Sequence, residues 1–293
     1  MSRATLNVLA QRETTRRDIL QKSDLIPPLP DLVTRLLVVL NEQSTEPADL
    51  EALLQNDQVL VAKMLAMVNS PFYGLNRTIR TIKEAVMVLG FRGVRSLVLA
   101  TSAARYLQRD FRFYGHEPKG LWLHAVCVAA GSRHLASRCK LGVDEAEIAF
   151  VAGLLHDIGK LLLIGFAGDA EPLAGTMARV CEQERRRFGM DHTEAGALVV
   201  AKWNLAPEIQ HVVRTHEDAP AGEDGKLAAV VRLAEAFAHE RGTGYLRGMQ
   251  PPAEAHFADV AILGLTEETW LGTRDGLTVA MDGAIAAFGS ASG

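Results

Sequence analysis

Apolar residues in this chain recur at helical intervals almost from end to end, and that regularity restricts it to an all-α fold. Leu32, Leu36, Val39 and Leu40 fall on one face, and Leu60, Met64, Met67 and Val68 on another, as the period of an amphipathic helix requires. No Asn-Gly hairpin, no sustained period-two alternation and no strand-turn-glycine unit of the dinucleotide-binding kind interrupts the pattern. Helix starts are marked as well. Thr81 with Glu84, Asp144 with Glu147, and Asp191 with Glu194 form capping-box pairs, while Pro47 and Pro207 suit first-turn positions.

The 293 residues, 48% apolar and 23% charged, suffice for one large domain or two modest ones. Pro27, Pro28 and Pro30 force an extended turn before the first strong pattern, and the stretch from Gln108 to Gly120 is looser and glycine-bearing. These breaks divide the chain into an N-terminal extension (1–24), an N-terminal helical subdomain (25–115), a second helical subdomain (116–250) and a C-terminal helical segment (251–293). A second loop is expected over Glu217 to Gly225, and a frayed end at the C-terminus.

A formal net charge of −4 gives no general attraction to nucleic acid or to an anionic membrane. Cys127, Cys139 and Cys181 have no zinc-ribbon spacing, and their odd number argues against a disulfide framework. The first residues carry no apolar signal core, and the most apolar stretch, Val151 to Ala167, is interrupted by His156, Asp157 and Lys160. A cytoplasmic protein without a membrane span is expected.

The chemistry centres on His156 and Asp157 in the run Gly-Leu-Leu-His-Asp-Ile-Gly-Lys, 153–160. The segment from Asp144 reads as one helix with Gly159 near its end. Neighbouring side chains on a helix diverge by about 100°, so the pair can flank one point only in the groove between them, where a metal ion fits. Taken alone, the dipeptide also has a plain reading: a histidine bonded to a backbone carbonyl and an aspartate capping the next turn. Other residues point to the same interior. His124 shares a face with Val128, Gly131 and Leu135, and His192 follows the cap Asp191. His216 is in phase with Ile209, Val212 and Val213, and Glu235 with Leu227, Val231 and Ala238. An interior carboxylate is costly unless paired or bound to a cation, and one shared metal satisfies the whole set. Mixed imidazole and carboxylate ligation suits iron, manganese or zinc.

Lys160 is open to two readings, a phosphate contact beside a metal or a favourable charge at a helix C-terminus. Asn69-Ser70-Pro71 can bind something or simply end a helix. Glu182 and Arg186 pair at i, i+4, and the run 182–187 reads as a solvated face.

The order His124, His156-Asp157 and a distant carboxylate resembles the HD superfamily of metal-dependent phosphohydrolases, and the later His192 and His216 look like its cyclic-dinucleotide phosphodiesterase branch, HD-GYP. Departures are clear. Thr215 stands where that branch has a second histidine, Glu235 replaces the usual aspartate, and no Gly-Tyr-Pro follows in the expected loop, Gly244-Tyr245-Leu246 coming too late. Ile-Pro-Pro-Leu-Pro (26–30), Asn-Asp-Gln-Val-Leu-Val-Ala-Lys-Met-Leu (56–65), Val-Asn-Ser-Pro-Phe-Tyr-Gly (68–74), Ile-Lys-Glu-Ala-Val-Met-Val-Leu-Gly (82–90) and Phe-Gly-Met-Asp-His-Thr-Glu-Ala-Gly (188–196) together resemble the HDOD domain, over roughly Leu25 to His239.

That resemblance implies an HD-like helical fold in a bacterial signalling or regulatory protein, a family in which metal ligands are often lost and catalysis is not generally established. It implies action on signalling proteins or a small phosphorylated ligand, with nucleic acid disfavoured and room for a homo-oligomer. His124, His156, Asp157, His192, His216 and Glu235 are the implied metal set, fuller than the family usually keeps. The alternative it implies is a metal-dependent phosphohydrolase or (cyclic di)nucleotide phosphodiesterase in which Asp157 and Lys160 serve catalysis.

Overall fold

A computed structural model of the chain describes residues 13–21, 28–42, 44–55, 57–168, 171–173, 177–218, 225–246 and 257–288. Helix α1 covers 13–21. The helices that follow are α2 (Asp31–Asn41), α3 (Pro47–Leu54), α4 (Gln58–Val68), α5 (Ile82–Leu107), α6 (Gly120–Arg138), α7 (Val143–Leu155), α8 (Gly159–Ile164), α9 (Met177–Phe188), α10 (His192–Lys202), α11 (Pro207–Thr215), α12 (Lys226–Glu240), α13 (Phe257–Ile262) and α14 (Glu267–Phe288). Among the described residues there is no sheet, and a single antiparallel bridge joins His116 to Tyr245.

The apolar stripes pack much as their spacing dictates. Leu60, Met64, Met67 and Val68 of α4 are all buried. On α2 the buried face is Val33, Leu36, Leu37 and Leu40, rotated slightly from the expected one, so that Leu32 and Val39 flank the core. Helix α6 is buried nearly all round, which marks a central helix. It packs against α7, α12 and α14. Helix α14 also reaches the turn Pro71–Tyr73: Phe288 lies 5.6 Å from Phe72, and its carbonyl accepts the Trp122 indole N–H at 3.1 Å. The C-terminal segment thus closes the core between the two halves of the chain.

Helix α5 is long and apolar enough to cross a membrane by length and composition, but 61% of its apolar window is buried in the fold. It bends at Gly90, whose φ of 69° and ψ of 172° are open to glycine and strained for other residues.

Two of the three predicted capping boxes form their N-cap half only, since Glu84 accepts from the Arg80 N–H and Glu194 from Arg16 rather than from the cap residue. Thr81 Oγ1 accepts from the Glu84 N–H, and Asp191 Oδ1 from the Glu194 N–H. The Asp144–Glu147 pair does not form: Gly142 precedes the helix, Asp144 pairs with Arg92, and Glu147 binds Arg133 at 2.7 Å. Pro47 and Pro207 both open their helices. The loop expected over Glu217 to Gly225 lies largely outside the described residues, as does the end of the chain beyond 288. Helix α1, in the N-terminal extension, is tied to the second half of the chain. Ile19 is buried, and Arg16 bonds the Gly189 carbonyl at 2.6 Å and Glu194 at 2.9 Å.

At the end of α4, Asn69 explains its own motif. Its amide donates to the carbonyls of Leu65 (2.8 Å) and Ile79 (2.7 Å), and its oxygen accepts the Ile79 N–H at 2.6 Å. One side chain therefore pins the return of the chain toward α5. Asn69→Ala is expected to lower stability by about 1–2 kcal/mol, measured as a urea midpoint shift at unchanged slope.

Candidate metal centre

The segment read as one helix divides at the motif. Helix α7 stops at Leu155, His156 forms its cap, and α8 starts at Gly159 rather than ending there. Lys160 accordingly lies in the first turn of α8, not at a helix C-terminus. The break exposes the His156 and Asp157 side chains to one interior point, and a glycine makes it possible. A Cβ on Gly159 would sit 1.9 Å from the His192 carbonyl and 2.4 Å from the Gly196 nitrogen, so α8 and α10 cross backbone to backbone.

All six residues predicted as ligands meet there. His124, His156 and Glu235 form one group, and Asp157, His192 and His216 another, with the donor atoms of each within 4.8 Å of one another. His156 Nε2 lies 3.3 Å from Asp157 Oδ2 and 3.7 Å from Glu235 Oε1, joining the groups. His192 Nε2 lies 3.5 Å from Asp157 Oδ1. Glu217, absent from the predicted set, stands 3.8 Å from Nε2 of both His192 and His216. Cys181 faces the other side of His192, its sulfur 3.9 Å from Nδ1.

The histidines are oriented as ligands are. Three of the four point one nitrogen at an acceptor outside the site: His156 Nδ1 at the Gly153 carbonyl (2.7 Å), His216 Nδ1 at the Val213 carbonyl (3.0 Å), His192 Nδ1 at Glu184 (2.7 Å). Such a partner fixes the tautomer and leaves Nε2 to face inward. The inward atoms are the unsatisfied ones. Both nitrogens of His124, Nε2 of His156, His192 and His216, Oδ1 of Asp157 and Oε1 of Glu217 and Glu235 are buried without a hydrogen-bond partner. Orphaned polar atoms are few in native proteins, and a cluster of them with converging lone pairs fits a divalent cation.

The charges sort the groups: although burial works downward on both, Asp157 and Glu235 raise His156, and Glu184 raises His192 well above the usual histidine range. Burial, seconded by the Glu235 charge, pushes Glu217 up to about 8, and burial raises Glu235 too, against the pull of His156. Burial and neighbouring imidazoles hold His124 and His216 well below the usual histidine range, hence neutral. For Asp157 burial works upward, but Lys160 and then His156 more than offset it and keep the carboxylate ionised. Lys160 Nζ bonds Asp157 Oδ2 at 2.6 Å, is 1% exposed, and lies 5.4 Å above the Tyr114 ring. A second polar shell adjoins. His239 stacks on His124 at 5.0 Å and bonds the Tyr245 hydroxyl at 3.2 Å, and His116 lies 4.2 Å from the Tyr245 ring. Tyr245, which looked too distant in sequence to matter, therefore walls the site.

The HDOD domain family model matches residues 26–219, and the chain belongs to that family. Among solved structures it is similar to an HDOD domain protein of unknown function from Geobacter sulfurreducens, with a TM-score of 0.71 and 24% identity over 96% of this chain and 99% of that one. It is also similar to a provisionally named phosphohydrolase from Shewanella amazonensis SB2B, with a TM-score of 0.69 and 25% identity over 94% of this chain and 98% of the other. A protein of Treponema pallidum (strain Nichols) with no characterised function is 29% identical over 227 residues, 73% of this chain and 42% of that protein. The chain thus spans less than half the length of that relative.

Gly159→Ala is expected to push α10 away from α8 and cost about 1–3 kcal/mol by overpacking. Retention of the wild-type melting temperature would contradict this close crossing.

Proposed function

We propose that this HDOD protein is a regulator that holds a divalent transition metal among its helices and acts by binding a signalling protein or a small phosphorylated ligand in the cytoplasm. The carrying observation is the closure of the site around its own charges. Lys160, the cation best placed to hold a phosphate, is buried and engaged by Asp157 at 2.6 Å, and His124, His156, Asp157, His192, His216 and Glu235 are all at most 5% exposed.

In this reading His156, Asp157, His192, His216, Glu217 and Glu235 hold the ion, with His124 beside them. When bound, the ion ties helices from both sides of the motif together and supplies Lewis acidity to any ligand that reaches it. Imidazole with carboxylate favours iron, manganese or zinc. The other reading is a phosphohydrolase or phosphodiesterase, in line with the provisional name of the Shewanella protein. It draws on Glu217, which at 15% side-chain exposure is the most accessible of these donors.

Protein purified without chelator should carry stoichiometric metal by mass spectrometry, and His156→Ala and Glu235→Ala should lose most of it. Equal metal in all three would overturn the ligand assignment. Metal-loaded protein should release no product from a panel of nucleotides and cyclic dinucleotides, and turnover of any would sink the regulatory reading. Lys160→Met leaves Asp157 buried without its cation, so metal-free protein should lose about 3–5 kcal/mol. Added metal, binding the folded state, should restore part of that loss in thermal melts.

A further inference from the structure

We propose that Glu184 is the positioning residue of the centre, holding the His192 ring so that Nε2 faces the metal. The inference rests on the metal reading above and concerns a residue outside the predicted ligand set. Glu184 lies in the charged run 182–187, where Glu182 and Arg186 form the expected exposed pair. Two residues from Glu182 is about 200° around a helix, and Glu184 is 0% exposed. An interior carboxylate needs polar partners. Its Oε2 accepts both the backbone N–H of His192 at 3.0 Å and the ring Nδ1–H at 2.7 Å.

The need for such a residue follows from where His192 sits. His156 and His216 each orient their rings with the carbonyl three residues earlier, those of Gly153 and Val213. His192 is the first residue of α10, so the corresponding carbonyl, that of Gly189, lies before the helix and accepts Arg16 instead. The acceptor must come from another element, and α9 supplies it. Because that acceptor is a carboxylate rather than a backbone carbonyl, it also raises the basicity of the imidazole toward a metal. Opposite it, Nε2 is buried, unpartnered and 3.5 Å from Asp157 Oδ1.

The test uses the full chain with Zn2+ affinity from chelator competition, the visible spectrum of the Co2+-loaded form, and melting of the metal-free form. Glu184→Gln keeps size and one acceptor oxygen but removes the charge, and should weaken Zn2+ binding about 10-fold. Glu184→Ala, which removes both, should approach 100-fold, within the range for partners of ligating histidines. Both should shift the Co2+ bands, and Glu182→Gln should change neither. Should Glu184→Ala fail to fold, Glu184→Asp, which keeps the charge on a shorter arm, should still shift the bands. Wild-type affinity and spectrum in Glu184→Gln and Glu184→Asp would overturn the positioning role while leaving the metal site intact, as would lowered melting with unchanged affinity. Absence of metal binding by the wild type would overturn both readings together.

Discussion

Burying polar atoms with nothing to satisfy them is the constraint on which this architecture depends. Imidazoles and carboxylates from α6, the α7–α8 break, α10, the end of α11 and α12 are withdrawn from water and aimed at each other. Each orphaned donor or acceptor would cost on the order of 1–3 kcal/mol, and several together would rival the net stability of an ordinary domain. In the proposed metal reading, a divalent cation would satisfy those whose lone pairs converge. Without one, Lys160 is the internal compensation, placed in α8 so that its ammonium reaches Asp157.

The helices around the site are built to make that compensation possible. The α8–α10 crossing is close enough to exclude a Cβ at Gly159, bringing the Asp157 and His192 side chains to 3.5 Å. Central α6 is buried nearly all round, and His124 on it is fully buried. These are packing decisions with electrostatic consequences: the same tight contacts that exclude water deepen the desolvation of every charge inside.

Much of this was legible in the sequence because phase along a helix reports direction. His124, His216 and Glu235 each sat on an apolar stripe, and the structure buries all three. Glu184 obeyed the same rule, four residues from both Val180 and Phe188, which are buried, but the charges around it masked the stripe. His239, next to Ala238 and four residues from Glu235, was open to the same reasoning. Glu217 was not, since it lies past the end of α11, where helical phase no longer applies. His116 and Tyr245 come together through a bridge between loops distant in sequence, and no local pattern encodes that. The division of the His-Asp helix was missed because apolar spacing runs through it unbroken, and the glycine that permits the close crossing reads equally well as a helix terminator.

The matched HDOD region ends at residue 219, yet one wall of the site lies beyond it. Glu235, His239 and Tyr245 come from α12 and the turn after it. Helix α12 is fixed from both sides by Arg232, which binds Asp259 of α13 with contacts of 2.6–3.0 Å and reaches the Thr215 carbonyl, one residue before His216, at 3.5 Å. Arg232 lies one turn from Glu235 on the same helix, so one side chain joins α13, the end of α11 and the helix that carries Glu235. That linkage gives the regulatory reading a physical route. In the proposed regulatory reading, a partner that engaged the C-terminal helices would meet the site through the buried Arg232–Asp259 ion pair, without entering the closed interior.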